Sequence, residues 1–364
     1  MSASQSTLNL ASNGRYSYTQ ITMPPKIRVA IICGGVSNER EVSIKSGQQV
    51  LLNLDREKYD PQMVEIAANG QWLLRSSDPT KELPEINENQ LVVRSPFEAA
   101  NTQDKPFDVA FLALHGKFGE DGRIQALLEL VNIPYTGSGV LASALCMDKA
   151  KTHNYLASFG VLSPNFLVIR ETDNDLNNIQ QKIDELIQYP CVVKPNESGS
   201  SVGITIVKTK DELPSALAKA FKEDRTVLIQ QLIKGREITC GVLGNSGQGE
   251  CQALLPIEVI ADGEFFDYNA KYSSLKTQEI CPALLEPAMT KQVQDLSVKI
   301  HALLGCDGLS RSDFILRNDD LYFLETNTIP GLTEQSLCPK EAAATGMSYM
   351  EFLDKLIDLA LKKA

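Results

Sequence analysis

Residues 192–207 read VVKPNESGSSVGITIV. Inside them Gly199-Ser200-Ser201-Val202-Gly203 fits G-x-S-x-G, the pattern of a nucleophile elbow, which needs a strand, a strained turn and then a helix. Ile204-Thr205-Ile206-Val207 comes next, a β-branched run bounded by polar residues, and that reads as a strand. The loop therefore joins two strands, 191–194 and 204–208, which argues against the strand–turn–helix of a serine hydrolase. The only histidine downstream is His301, in the apolar helical stretch VKIHALLGC. Two readings of the loop remain. Its small residues, with Lys194 at the end of the preceding strand, let backbone N–H groups approach phosphate oxygens. Glycine and serine also make ordinary hairpin loops.

Outward from this loop the chain changes character twice. On the N-terminal side, a buried strand at 27–33 is followed by Gly34-Gly35 and a helix at 39–54. A second strand at 108–114 leads to a helix at 123–131. Alternating strands and helices imply a parallel sheet. The segment 76–106 is polar and reads as a surface excursion. Residues 1–25 are rich in Ser, Thr, Asn and Gln and lack an apolar stretch, so a disordered or extended tail is expected rather than a signal peptide. The middle has helices at 140–159, 172–188 and 211–222 and a strand at 226–229. The remainder has strands at 236–244, 251–260, 309–316 and 321–326, helices at 288–304 and 348–362, and a long loop at 261–283. The expected division is tail 1–25, an α/β domain 26–137, a central domain 138–230 and a C-terminal domain 231–364.

Composition narrows the function classes. The 364 residues, 43% hydrophobic and 22% charged, suit two or three globular domains. The formal net charge of −11 and the lack of a Lys/Arg stripe argue against nucleic acid. No apolar run approaches the roughly 20 residues of a membrane span. The 8 cysteines form no C-x-x-C and read as reduced and buried in a cytoplasmic protein. The 3 histidines lack H-E-x-x-H, against a zinc site. Gly34-Gly35 is not G-x-G-x-x-G, and no G-x-x-x-x-G-K-[ST] occurs, so a nucleotide would be held another way.

The strongest chemical signal is 309–331, LSRSDFILRNDDLYFLETNTIPG. It reads as a hairpin with a polar turn at 317–320. Side chains alternate along a strand, so Arg311 shares a face with Asp313, and Glu325 with Asn327. A three-residue loop puts Asp313 opposite Glu325 and Arg311 opposite Asn327; a two-residue loop shifts the register and separates them. Converging Asp, Glu and Asn oxygens suit Mg²⁺ shared with substrate phosphates. A second signal, Ala113-Leu114-His115-Gly116-Lys117 and then Gly119-Glu120-Asp121-Gly122, lies at a strand's carboxyl end, where open α/β sheets bind ligands. There His115 is suited either to a carboxylate or to packing. A third, Asp267-Tyr268-Asn269-Ala270-Lys271-Tyr272-Ser273, has the composition of a lid over charge.

Together GGVSNEREVS, ALHGKFGEDG, PYTGSGVLASALCMDK, VVKPNESGSSVG, FDYNAKY, RSDF and ETNTIPGLTEQS resemble the D-alanine–D-alanine ligase family of the ATP-grasp superfamily, over about residues 26–364. The resemblance implies a three-domain ATP-grasp architecture, with an N-terminal parallel-sheet domain and two α+β domains enclosing ATP. It implies ligation of two D-alanine molecules for peptidoglycan precursor synthesis, through a D-alanyl phosphate, in a homodimer. Lys149, Lys194, Ser201 and Lys271 match positions near the ATP phosphates, and Glu237 matches the ribose contact. Glu39, Ser200 and Tyr272 match the network around the first D-alanine, with His115 nearby. Arg311 and Gly331 match the oxyanion donors, and Ser336 and Leu337 the contacts to the second carboxylate. Asp313, Glu325 and Asn327 match the ligands of Mg²⁺ or Mn²⁺. Gln230-Gln231 departs from the charged residue usual beside adenine. Tyr272, where D-lactate-using relatives have phenylalanine, implies an amine acceptor. Two other readings are a ligase of the same superfamily with a different second substrate, and a nucleotide-binding sensor without turnover.

Overall fold

The computed structural model describes residues 6–10, 16–20, 25–75, 106–173, 175–199, 202–249, 251–260 and 278–363. Nearly all of the expected excursion at 76–106, and the expected lid through residue 277, lie outside the described residues. Within the N-terminal tail, β1 (Ser6–Leu10) pairs antiparallel with β2 (Tyr16–Gln20), so this stretch carries a hairpin.

The parallel sheet expected next is present. It contains β3 (Ile27–Gly34), β4 (Tyr59–Ile66), β5 (Trp72–Leu74) and β6 (Val109–Leu112), in the order β5-β4-β3-β6. β3 is parallel to β4 and β6, while β5 is antiparallel to β4. Helix α1 (Arg40–Asn53) packs on β3 with a face of small residues, Ser43, Ser46 and Gly47, beside Val50 and Leu51. Those serines are buried because they have partners. Ser43 Oγ donates to Ala113 O and accepts from Gly34 N, both at 2.7 Å. A Cβ at Gly47 would stand 2.8 Å from Cys33 Cβ, so glycine there sets how closely helix and strand approach.

Strand β4 was not legible, because Pro61 and Glu65 interrupt its apolar pattern. Pro61 is tolerated since β5 covers only Val64–Ile66 of that edge. Glu65 is buried between two cations, donated to by Arg75 Nε at 2.6 Å and by Arg40 Nη2.

Three helices follow: α2 (Arg123–Leu130), α3 (Val140–Met147) and α4 (Lys149–Ala157). A single helix was expected over 140–159. It divides at Asp148, whose extended backbone and carboxylate cap α4 through Lys151 N at 3.0 Å. The central sheet is antiparallel. It comprises β7 (Phe166–Arg170), β8 (Cys191–Pro195), β9 (Thr205–Val207) and β10 (Thr226–Gln231), in the order β7-β10-β8-β9. Helices α5 (Leu176–Leu186) and α6 (Leu213–Ala220) cover it with Ile179, Ile183, Leu213 and Leu217. The loop after β8 does join two strands, β8 and β9, as the sequence indicates.

The C-terminal sheet holds β11 (Arg236–Asn245), β12 (Gln252–Ala253), β13 (Ile257–Ile260), β14 (Gln278–Ile280), β15 (Asp307–Arg317) and β16 (Asp320–Asn327). Its order is β14-β13-β11-β15-β16, all antiparallel, with β12 beside β11. The strand expected over 251–260 breaks at 254–256, where Pro256 offers no N–H. Helices α7 (Pro287–Leu303), α8 (Leu337–Ala344) and α9 (Tyr349–Lys363) complete the chain. The cores cross the sequence order. Ala142, Cys146 and Leu156 of α3 and α4 pack with Val293, Phe314 and Phe323 of the C-terminal sheet layer. Phe352, Leu353 and Ile357 of α9 join the core of β3 and β6, and Asp354 accepts from Lys58 Nζ (2.7 Å) and Tyr59 OH.

Removing one partner of a buried ionic cluster strands the others. Glu65→Ala is expected to destabilise the fold by about 3–5 kcal/mol, read as a lower denaturant midpoint.

Candidate active site

The β15–β16 hairpin turns through only two residues, Asn318 and Asp319, with Arg317 opposite Asp320. Such a turn was expected to separate the acidic pair. It does not, because a β-bulge between Asp313 and Phe314 skips Leu324 and resets the register. Asp313 faces Glu325 and Arg311 faces Asn327. Asn318 adopts φ +57, a left-handed value that asparagine tolerates.

Asp313 is buried and fully engaged. Arg311 donates to it through Nε (2.8 Å) and Nη2 (2.9 Å). Thr239, its cross-strand neighbour on β11, donates to Oδ1 at 2.6 Å, and Asn327 Nδ2 to Oδ2 at 3.2 Å. The hairpin faces the small-residue loop after β8. Lys149, the first residue of α4, donates from Nζ to Ser198 O at 2.6 Å and stands 3.3 Å from Glu325 Oε2. Lys194 is buried beside them. Burial pushes its ammonium down to about 8; the Glu325 carboxylate opposes this and Lys149 adds to it. Lys194, Glu237, Asp313 and Glu325 line one cavity of about 860 Å³ between the central and C-terminal sheets, with Gln231 and Leu232 along its wall. Arg236 and Glu258 flank this wall as an ion pair at 2.6 Å.

Beyond the hairpin the loop reaches the N-terminal sheet. A Cβ on Gly199 would lie 3.2 Å from Glu39 Oε2 and 3.9 Å from Glu120 Oε2. Glu39 is buried immediately before α1. Burial, reinforced by the Glu39 charge, pushes the Glu120 carboxyl up to about 7. His115 is buried, with Nε2 at 3.0 Å from Ser46 Oγ and Nδ1 at 3.1 Å from Ile329 O. Both ring nitrogens are thus engaged within the protein. Gly331 precedes a tight turn in which Thr333 N donates to Ser336 Oγ at 3.1 Å, and Ser336 stands at the N-terminal boundary of α8 directly before Leu337. A helix start of this kind presents N–H groups to a carboxylate. Ser200, Ser201, Lys271 and Tyr272 lie outside the described residues.

A family model described as D-ala D-ala ligase N-terminus matches residues 28–138, and one described as D-ala D-ala ligase C-terminus matches 155–358. The chain belongs to the D-alanine–D-alanine ligase family. It is 42% identical over 352 residues to the D-alanine–D-alanine ligase of Thermoanaerobacter sp. (strain X514), covering 93% of this chain and 97% of that one. To the ligase of Syntrophobacter fumaroxidans it is 41% identical over 340 residues, covering 93% and 98%. Among solved structures it is similar to VanG D-Ala:D-Ser ligase from Enterococcus faecalis, with TM-score 0.82, 33% identity and coverage of 92% and 100%. It is also similar to D-alanine–D-alanine ligase from Bacillus anthracis complexed with ATP, with TM-score 0.70, 32% identity and coverage of 93% and 98%. The fold is therefore ATP-grasp, as the motifs implied.

Two groups in this family member were missed by sequence reasoning. Glu120 sits within one of the family motifs, yet only its burial beside Glu39 singles it out. Thr239 carries no local signal, since its role depends on the long-range pairing of β11 with β15.

The electrostatics of Lys194 are directly testable. In NMR of ¹³Cε-labelled lysine, Lys194 is expected to titrate near pH 8. Glu325→Gln removes the charge that favours the ammonium, so the midpoint should move lower; a rise or no change contradicts this geometry.

Proposed function

We propose that the protein joins two D-alanine molecules into D-alanyl-D-alanine, a peptidoglycan precursor, with conversion of ATP to ADP and phosphate. The observation that carries this reading is the Lys149 ammonium, held between Ser198 O of the glycine–serine loop and Glu325 of the hairpin. It ties the small-residue loop to Glu325, which with Lys194 and Asp313 lines a cavity large enough for a nucleotide.

In this reading ATP lies in that cavity. The backbone between β10 and β11 reads its adenine edge, Glu237 holds the ribose, and Lys149, Lys194, Ser201 and Lys271 hold the phosphates. Glu39, with Ser200 and Tyr272, binds the first D-alanine. Its carboxylate attacks the γ-phosphorus, ADP leaves, and an acyl phosphate forms. The lysines offset the charge gathered on the phosphate oxygens. The second D-alanine places its carboxylate at Ser336 and Leu337, where the N-terminus of α8 favours an anion. Its amine, once deprotonated, attacks the acyl carbon. Arg311 and the Gly331 N–H stabilise the oxyanion until phosphate is expelled. Water must be kept out, because it would hydrolyse the acyl phosphate.

The donor types suit a hard divalent cation, and binding one would displace a hydrogen bond that Asp313 now accepts from Arg311, Thr239 or Asn327. Asp313, Glu325 and Asn327 would supply only oxygens. Among the described residues no cluster of three His, Cys, Asp or Glu side chains holds a metal alone, so phosphate oxygens would complete the shell. Mg²⁺ or Mn²⁺ held by these residues would neutralise phosphate charge and orient the transferred group.

The division into 26–137, 138–230 and 231–364, a homodimer, and a cytoplasmic location belong to the same reading. Supporting the last, the described cysteines are all free, and no helix among the described residues is long and apolar enough to cross a membrane.

Incubation with ATP, Mg²⁺ and D-alanine is expected to release phosphate and form the dipeptide. Nucleotide binding without release would favour a sensor, and release only with another amine, such as D-serine, a ligase of different acceptor. Glu325→Ala is expected to abolish turnover while circular dichroism stays unchanged. Tyr272→Phe should relax selectivity for the amine acceptor while the Kd for ATP holds; unaltered preference would count against the role given to Tyr272.

A further inference from the structure

Ile329 lies two residues after Asn327 and two before Gly331. Both polar atoms of its backbone are held by side chains of one loop at the carboxyl edge of the N-terminal sheet. Its N–H donates to Glu120 Oε1 at 2.9 Å, and its carbonyl faces His115 Nδ1 at 3.1 Å. A carbonyl oxygen only accepts, so Nδ1 carries the proton and donates. Nε2 is then the acceptor for Ser46 Oγ at 3.0 Å. Burial pushes His115 down to about 4, which keeps the ring neutral and compatible with this arrangement. The other Glu120 oxygen accepts from Gly116 N at 2.9 Å. His115, Ser46 and Ile329 are all buried.

We propose that His115 and Glu120 are positioning residues that clamp the Ile329 peptide from both sides, and thereby fix Asn327 and the Gly331 N–H relative to the reacting carboxyl group. The inference rests on the ligase reading and deepens it. It moves His115 from ligand contact to support of the segment that carries the oxyanion donor. The mechanical link is short. Pro330, whose ring fixes φ, is the only residue between Ile329 and Gly331. A donor aimed at developing charge loses its effect when displaced by a fraction of an ångström, so an anchor one residue away governs it. The same clamp couples the N-terminal sheet, which carries Glu39, to the end of β16, which carries Asn327.

Three full-length variants test this. H115A removes the Nδ1 donor. H115N keeps an N–H donor at nearly the same place while losing the Ser46 contact. E120Q can accept only one of the two N–H groups that Glu120 now accepts. H115A and E120Q are expected to lower kcat about 10- to 100-fold, with the KM values for ATP and D-alanine within about twofold, the signature of support felt in the transition state. H115N should recover most of kcat. A loss confined to KM, or H115N as impaired as H115A, overturns the proposal. A second readout is independent of turnover. Amide deuterium exchange at Ile329 should speed up at least about tenfold in E120Q; unchanged protection overturns the clamp. Failure of the wild-type protein to release phosphate from ATP and D-alanine would instead sink the ligase reading, and the exchange measurement separates the two outcomes.

Discussion

One buried ammonium organises the centre of this molecule. Lys149 stands at the first turn of α4, donates to the carbonyl of Ser198 and faces Glu325 across 3.3 Å. Three parts of the chain, far apart in sequence, meet at that nitrogen. An ammonium out of water is tolerated only when its donors find acceptors, so the helix, loop and hairpin constrain one another. Lys194, on the neighbouring strand, adds a second positive charge that burial has already weakened. Lys194 lines the cavity while Lys149 stands against Glu325, another of its lining residues, so a polyanion entering it would meet the Lys194 charge directly, in keeping with the proposed phosphate site.

The hairpin opposite shows how much charge the protein balances unaided. Asp313 receives four hydrogen bonds, two of them from Arg311. Arg311 is thereby held rigid by the carboxylate next to it on the same strand face. Behind it Glu341 is fully buried, accepts from Gly241 N at 2.9 Å and is pushed up to about 8 by burial. A Cβ at Gly241 would stand 2.5 Å from that carboxylate, so glycine on β11 is what allows it beneath the sheet.

Local pattern revealed β3 and β6 as buried strands, the helix α6 and the β15–β16 hairpin, because each depends on residues close in sequence. The meeting of Asp313 with Glu325 was readable as a possibility, but not its cause. A short turn and a bulge have cancelling effects on register, and neither Asn318-Asp319 nor Leu324 advertises the other. Strand β4 was hidden by Glu65, whose polarity argues against burial until Arg40 and Arg75 are seen to enclose it. Thr239 and the Ser46–His115–Ile329 chain were illegible for a related reason. Their partners lie 74 residues away for Thr239 and 69 and 214 residues away for His115, and no periodicity encodes such pairings. The family motifs placed His115 near the first substrate, and no motif shows that its two nitrogens face Ser46 and Ile329.

The placement of α9 has a bearing on how the polypeptide matures. Its apolar side completes the interior beneath β3 and β6, strands translated well before it, and Asp354 ties it to Lys58 and Tyr59. A nascent N-terminal sheet therefore emerges from the ribosome with a gap that this helix, translated long after it, fills. Until α9 has been translated, that sheet has an unfinished interior and an apolar wall open to solvent, so cooperative folding awaits that helix.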